Sequence, residues 1–361
     1  MKIAVFHNLP FGGAKRVLYE EIKALSKKNE VYLYQLSGER DNVFNLMKYV
    51  KEFHEYGFTP KNHLPAFLNR LYSDHKKLFA LRKVHKNIAE DIDTSNFDVV
   101  LIHPDYYTQA PFILRYLKTK KVYYCHELLR IAYEKNLGFD KDVIFFKKWY
   151  ESTIRALMKN IDKTNARFAE VILTNSLHTK QNIKMAYGRD SSVCYPGVDS
   201  DFFKPVGGLA KNSILFVGDE EKILGQGFEK MLGKNLQGKY KIEKMVRNKD
   251  NGDDYLRQLY NRALVTVCLT QNEPFGMVPL ESMSCGTPVI ALDDGGYRET
   301  IINGKTGFLI GKNASRIQNR IEYFVLNPSD ADKIGKVGRN YVESEFTWGN
   351  HIRILEKAIR L

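Results

Sequence analysis

The sequence predicts two α/β domains in one chain, and three observations predict them. Short apolar runs rich in β-branched residues alternate with longer stretches of helical periodicity, the pattern of strand–helix–strand units around a parallel sheet. The alternation breaks at Pro205-Val-Gly-Gly208 and restarts at Ile214-Leu-Phe-Val217, which sets a boundary near 205. A length of 361 residues with 43% hydrophobic content suits two ordinary cores better than one.

In the first half, residues 2–7, 30–36, 97–103 and 121–125 read as strands, and 171–174 and 192–195 as later ones. Helical patterns fill 13–28, 61–92, 107–118 and 142–168. Residues 41–92 form a long, aromatic and basic stretch. In the second half, 214–217, 265–269, 288–291 and 307–310 read as strands, and 348–360 as a final helix. There are no internal repeats and no low-complexity tracts. No run of 18 apolar residues appears, so no membrane span is expected. Met1-Lys-Ile-Ala-Val-Phe enters directly as a strand, without the pattern of a signal peptide. Cys125, Cys194, Cys268 and Cys285 are widely spaced and read as reduced thiols of a cytoplasmic protein.

The formal charge of +13 is uneven, with 32 Lys and Arg against 22 Asp and Glu in residues 1–200, and 23 against 20 in 201–361. Such charge forms solvated helix faces or draws the first half to an anionic membrane surface or acceptor. No nucleic-acid-binding motif accompanies it, so nucleic acid is not expected as a partner.

The segment richest in chemistry is Glu273-Pro-Phe-Gly-Met-Val-Pro-Leu-Glu281. Val265-Thr-Val-Cys-Leu-Thr270 reads as a buried strand, and Pro274, Gly276 and Pro279 punctuate a turn that opens a helix. The helix therefore starts at the carboxyl end of a strand, where open parallel sheets bind ligands. Its exposed N–H groups and dipole favour a phosphate. The two carboxylates are either solvated or positioned to bind hydroxyls. Gly12-Gly13 is either a tight turn or a close backbone approach to a phosphate or acceptor. His126, ending a strand, is either structural or a ligand to substrate, and His103 is likewise at a strand end.

Glu-Pro-Phe-Gly-x4-Glu-x-Met-x-x-Gly-x-Pro-Val-Ile, followed by Gly295-Gly296-x-x-Glu299 and Asn303-Gly304-x-x-Gly307-Phe308, resembles glycosyltransferase family 4. In the same order stand Gly12-Gly13-Ala14, Tyr124-Cys-His126-Glu127, Leu173-Thr-Asn175-Ser176, Tyr195-Pro-Gly-Val-Asp199 and Phe346-Thr347-Trp348. The resemblance covers nearly the whole chain. It implies the GT-B fold, two Rossmann-like domains facing across a cleft. An acceptor-side domain would span 1–205 with the returning helix 346–361, and a nucleotide-sugar domain 206–345. It also implies retaining transfer from a nucleotide-diphosphate sugar to a glycan or glycolipid, in cell-surface polysaccharide or glycoconjugate synthesis, with no cofactor and no metal. The location implied is the cytoplasm or the cytoplasmic face of the membrane.

By the resemblance, His126 and Glu273 serve the reacting centre, Glu273 by positioning and electrostatics. The backbone of Phe275, Gly276, Met277 and Val278 meets sugar and diphosphate, Glu281 binds the ribose hydroxyls, and Gly12, Gly13 and Gly218 line the donor site. His103 and Tyr106 are acceptor-side candidates. Two departures stand out. The family's Gly-Arg and later Lys, a diphosphate clamp, are replaced by Gly218-Asp219 and Gln226, leaving Lys222 as the candidate substitute by a shifted path, with Lys244, Arg247 or Lys249 as alternatives. Residues 233–262 also look short by one strand-and-loop unit. A degenerate GT-B protein that binds sugar or a partner, or a GT-B-like nucleotide-sugar epimerase, is the alternative.

Overall fold

The computed structural model describes residues 1–37, 44–58, 66–134, 145–218, 240–245 and 252–361. They form two units, one of Met1–Thr174, Thr179–Val193 and Ile354–Leu361, the other of Asn175–His178 and Cys194–Arg353. The division falls at Val193/Cys194, earlier than the 205 read from the Pro/Gly break. The connecting stretch bonds within the second unit, Val198 N–H donating to the Phe346 carbonyl at 2.8 Å.

The first unit runs β1 (Lys2–Asn8), α1 (Gly13–Leu25), β2 (Glu30–Leu36), β3 (Glu52–Tyr56), α2 (Ala66–Thr94), β4 (Val99–Asp105), α3 (Ile113–Tyr116), β5 (Lys121–Cys125), α4 (Arg130–Tyr133), α5 (Phe145–Ala166), β6 (Val171–Thr174), α6 (Leu177–Tyr187) and β7 (Ser192–Val193). The first two residues of α6 group with the second unit. Its described strands form one parallel sheet in the order β3-β2-β1-β4-β5-β6-β7. Ile3, Ala4, Val5 and Phe6 of β1 are fully buried, each large side chain contributing about 1.5–3 kcal/mol. The order reverses between β1 and β4, which places the switch point of this sheet at the ends of those two strands.

The helix expected over 107–118 is confined to Ile113–Tyr116. Asp105 captures the start of that segment, its carboxylate accepting from Tyr107 N–H at 2.8 Å and Thr108 N–H at 3.0 Å, an Asx-type turn that competes with helix. β3 was not expected. It is an edge strand, Glu-Phe-His-Glu-Tyr, whose half-exposed residues carry no apolar run.

The second unit runs β8 (Ser213–Val217), β9 (Lys241–Met245), α7 (Asp253–Arg262), β10 (Ala263–Cys268), α8 (Met277–Ser284), β11 (Val289–Leu292), α9 (Tyr297–Thr300), β12 (Gly307–Ile310), α10 (Ala314–Leu326), α11 (Pro328–Glu345) and α12 (Trp348–Arg360). Its described strands form a parallel sheet in the order β12-β11-β10-β8-β9, with the switch point between β8 and β10. The end of α12, Ile354–Leu361, belongs to the first unit, where Leu355 and Ile359 are buried and Lys120 donates to the Ile359 carbonyl. Lys222, Asp219, Gln226, Arg247 and Lys249, with much of the stretch that looked shortened, lie outside the described residues.

Candidate active site

In the second unit the loops after β8, β10 and β11 meet at the switch point. Leu269 N–H donates to the Val217 carbonyl at 2.9 Å, and Gly218 packs against Thr270. Asn272 N–H donates to the Asp294 carboxylate at 2.8 Å, and Gly296 N–H to the Glu273 carbonyl at 2.7 Å. The two loops approach so closely that a Cβ on Gly296 would lie 2.4 Å from the Phe275 Cα. Gly276 then turns the chain with φ 106°, a left-handed conformation suited to glycine, and starts α8 with no side-chain cap. The first N–H groups of α8 are thus left to the loop, a ready anion-binding geometry.

The helix is fixed from below. Ser282 donates to Thr266 Oγ1 of β10 at 2.8 Å, and Ser284 donates to the Phe203 carbonyl. Phe275 is 2% exposed and stacks on Tyr195 with ring centroids 5.7 Å apart, so its side chain is core and its backbone alone edges the loop. Met277 and Val278 are partly buried. Glu273 is partly buried in the loop after β10, near enough to help burial raise the Cys268 thiol and the Tyr297 phenol well above their ordinary values. Glu281 has no exposed surface, and its Oε2 accepts from Tyr260 at 2.8 Å. A carboxylate has about four acceptor positions, and the Tyr260 hydroxyl occupies one of them.

The motif residue Glu299 is not at the loop. Its carboxylate accepts from the N–H groups of Leu177 at 2.7 Å and His178 at 2.8 Å, and from Tyr195 at 2.8 Å. Ser176 donates to the Pro274 carbonyl at 2.5 Å. Within the second unit these bonds tie the Asn175–His178 stretch to Glu299 and to the candidate loop.

In the first unit Gly12, with φ 155°, caps α1 without a side-chain bond, and Gly13 is its first residue. His126 follows β5 and is 7% exposed. His103, expected at the acceptor side, is instead fully buried, its Nδ1 3.1 Å from His126 Nε2 and its Nε2 2.7 Å from a Glu21 oxygen. Burial overrides the strand-end argument because α1 covers this face of the sheet. Tyr106, the other acceptor-side candidate, is 62% exposed. Glu21 was missed, although the sequence carried a signal: it sits in the buried stripe Val17, Leu18, Ile22, Leu25 of α1, where an acid needs a partner. Tyr260 was missed for want of any motif. Among the described residues no group of three or more His, Cys, Asp or Glu is placed to hold a metal ion.

Comparison with known proteins follows the same lines. The family model described as Glycosyltransferase Family 4 matches residues 11–202, and that described as Glycosyl transferases group 1 matches residues 213–341. Alpha-maltose-1-phosphate synthase of Mycobacterium tuberculosis is 36% identical over 100 residues, which is 26% of each chain. An alpha-1,3/1,6-mannosyltransferase of Mus musculus is 25% identical over 302 residues, 70% of each chain. Among solved structures, sucrose-phosphate synthase from Thermosynechococcus elongatus superposes with a TM-score of 0.72 at 16% identity, covering 99% of this chain and 98% of that one. Anabaena Alr3699/HepE in complex with UDP-glucose superposes with a TM-score of 0.67 at 18% identity, covering all of both chains. Two parallel α/β units of GT-B type, with family matches across both, lead to one conclusion: the chain belongs to glycosyltransferase family 4.

Proposed function

We propose that this chain transfers a sugar, with retention, from a nucleotide-diphosphate sugar to a glycan or glycolipid acceptor. The observation that carries the reading is the uncapped start of α8 at the switch point, framed by Glu273 and Glu281. The Anabaena relative of the same fold, bound to UDP-glucose, supports a donor of this class. In the reaction the bond from the sugar's anomeric carbon to the diphosphate oxygen breaks, and the diphosphate keeps the electron pair. The acceptor oxygen attacks the same face and its proton passes to the departing phosphate. Fixed N–H donors aimed at that phosphate are worth several kcal/mol, about 3–4 for one well-placed donor. Glu273 positions the sugar, His126 balances charge at the reacting centre, and Glu281 holds the ribose. The reading assigns no resident cofactor or metal, so turnover is expected to survive chelation by EDTA.

Thermal-shift measurements with uridine, guanosine, adenosine and thymidine diphosphates and their sugars test the reading. Stabilisation by one nucleotide series, lost in Glu273→Ala for the sugar but not for the free diphosphate, is the expected result. No shift with any of them sinks the proposal and favours the degenerate alternative.

The same reading places the chain at the cytoplasmic face of an anionic membrane. Lys and Arg outnumber acids 32 to 22 in residues 1–200, and Phe79 of α2 and Trp149 of α5 are 73% and 64% exposed. No helix among the described residues is long and apolar enough to cross a membrane. Retention on anionic but not neutral vesicles at low salt is expected; equal behaviour on both ends the idea.

A further inference from the structure

The turn that follows β4 has a protein partner for every backbone N–H from 105 to 110. Asp105 and Gln109 exchange N–H···O bonds with each other, both at 2.9 Å, and Tyr106 N–H donates to the Asn8 carbonyl of β1 at 3.0 Å. Tyr107 and Thr108 N–H donate to Asp105 Oδ1 at 2.8 and 3.0 Å, and Ala110 N–H donates to Asp162 of α5 at 2.9 Å. Asn165 of α5 donates to the Ala110 carbonyl at 2.7 Å, and Asn8 Nδ2 to Asp105 Oδ2 at 2.8 Å. Gln109 sits at φ 54°, a left-handed conformation that a non-glycine residue keeps when its surroundings hold it. The turn is therefore fixed to β1 on one side and to α5 on the other.

On this fixed base Tyr106 is 62% exposed. Its ring meets Tyr107 at 81° with centroids 5.3 Å apart, and Tyr107 meets the buried Phe58 at 68° and 5.3 Å. A large aromatic side chain thus stands in solvent at the switch point of the sheet, where α/β folds take ligands. Because its support is rigid, little further ordering is needed when a ligand covers it.

The class of ligand follows from which groups are already engaged. With all six N–H groups bonded internally, the turn offers no backbone nest to an anion. No Lys or Arg occurs in 104–114, nor in the adjoining stretch 8–14, although residues 1–200 carry 32 cations against 22 acids. A phosphate or carboxylate would find no cationic partner on either segment. Thr108 directs its hydroxyl to Asp105 at 3.3 Å. The remaining side-chain polar groups of the turn are the Tyr106 and Tyr107 hydroxyls and the Gln109 amide, none of them a cation. An aromatic face is electron-rich and matches the C–H face of a pyranose ring, while hydroxyl and amide groups match its hydroxyls.

We propose that the 105–110 turn is a sugar platform on which Tyr106 stacks against an uncharged pyranose, so that the acceptor presents a neutral sugar to this unit and not a phosphate. Calling that sugar the acceptor rests on the proposed function; the platform itself does not.

The test is saturation-transfer NMR of the full chain with the methyl glycosides of glucose, galactose, mannose and N-acetylglucosamine, each with and without excess inorganic phosphate. At least one glycoside should take up saturation, keep it in the presence of phosphate, keep it in Tyr106→Phe and lose it in Tyr106→Ala. The position is exposed, so Tyr106→Ala should melt as the wild type does. Where turnover is measurable, Tyr106→Ala should raise the acceptor KM about tenfold and leave kcat and the donor KM unchanged. Absence of transfer to every glycoside, transfer abolished by phosphate, or transfer that survives in Tyr106→Ala overturns the proposal. Glycoside binding through Tyr106 with no nucleotide shift would reject the transferase reading alone. A nucleotide shift with glycoside binding indifferent to Tyr106 would reject this one alone.

Discussion

Tyr260 donates its hydroxyl to Glu281 Oε2 at 2.8 Å, with neither residue exposed to solvent. The bond joins α7 to α8 and holds the second carboxylate of the Glu-x7-Glu motif from behind. Tyr260→Phe removes the donor and keeps the ring. Leaving a buried carboxylate short of a hydrogen bond costs about 1–3 kcal/mol, so a lower urea midpoint is expected. If Glu281 binds ribose, nucleoside diphosphate affinity should fall about tenfold, or 1.4 kcal/mol. Calorimetric titration checks this; an unchanged Kd would remove Tyr260 from the donor site.

Glu299 makes a different prediction. Its two oxygens separately accept from the Leu177 and His178 N–H groups, and Tyr195 shares one of them. This is a carboxylate at a helix start, where charge-assisted bonds and the helix dipole act together. Glu299→Ala should destabilise the fold by about 1–3 kcal/mol. Glu299→Gln should cost less, because its amide can serve one N–H but opposes the other. Both variants should bind nucleotide with near wild-type affinity once folded. Urea unfolding with a parallel binding measurement tests the separation.

The loop glycines predict a contrast. Gly276→Ala puts a Cβ at φ 106° and 2.9 Å from the Tyr297 ring, and Gly296→Ala puts one 2.4 Å from the Phe275 Cα. A backbone neighbour cannot turn aside as a side chain can, so Gly296→Ala should be the worse of the two. Both should cost more than about 1 kcal/mol, and both should displace the start of α8. Gly304→Ala, with φ 78° and open space around it, should cost only the conformational strain, about 1 kcal/mol. Thermal melts of the three variants, with and without nucleotide, give the order.

Much of this was readable in the sequence, for identifiable reasons. Strands β1, β4, β5 and β10 are buried on both faces and appear as continuous apolar runs. The Glu273–Glu281 turn was readable because glycine and proline mark it at fixed positions. β3 was not, since an edge strand need not be apolar. The roles of His103, Tyr260 and Glu299 were not readable either, because each depends on a partner distant in sequence. His103 looks like a rim residue until Glu21, 82 positions earlier, closes over it. Asp105 shows the reverse case, a local side-chain bond overriding a helical pattern.

The last prediction concerns pH. Asp162 on α5 is fully buried, accepting from Ala110 N–H at 2.9 Å and from Tyr187 at 2.8 Å. Burial raises its pKa from 3.8 to about 7, against the opposing pull of those bonds. The folded state therefore holds a proton that the unfolded chain releases near pH 4. Between those values folding takes up a proton, so the Asp162 contribution is full at low pH and is lost as pH rises toward 7. His85, which burial lowers to about 3, acts in the opposite sense, adding stability as pH rises from 3 to its ordinary value of 6.5. The two slopes oppose each other in the wild type, and single variants separate them. The stability of wild type relative to Asp162→Asn should fall with pH by at most about 1.4 kcal/mol per unit between 4 and 7. Relative to His85→Gln it should rise over the acid part of the same range. Urea unfolding at pH 4.5, 5.5, 6.5 and 7.5 measures both, and a pH-independent difference for Asp162→Asn would show that the carboxyl is ionised in the folded protein throughout.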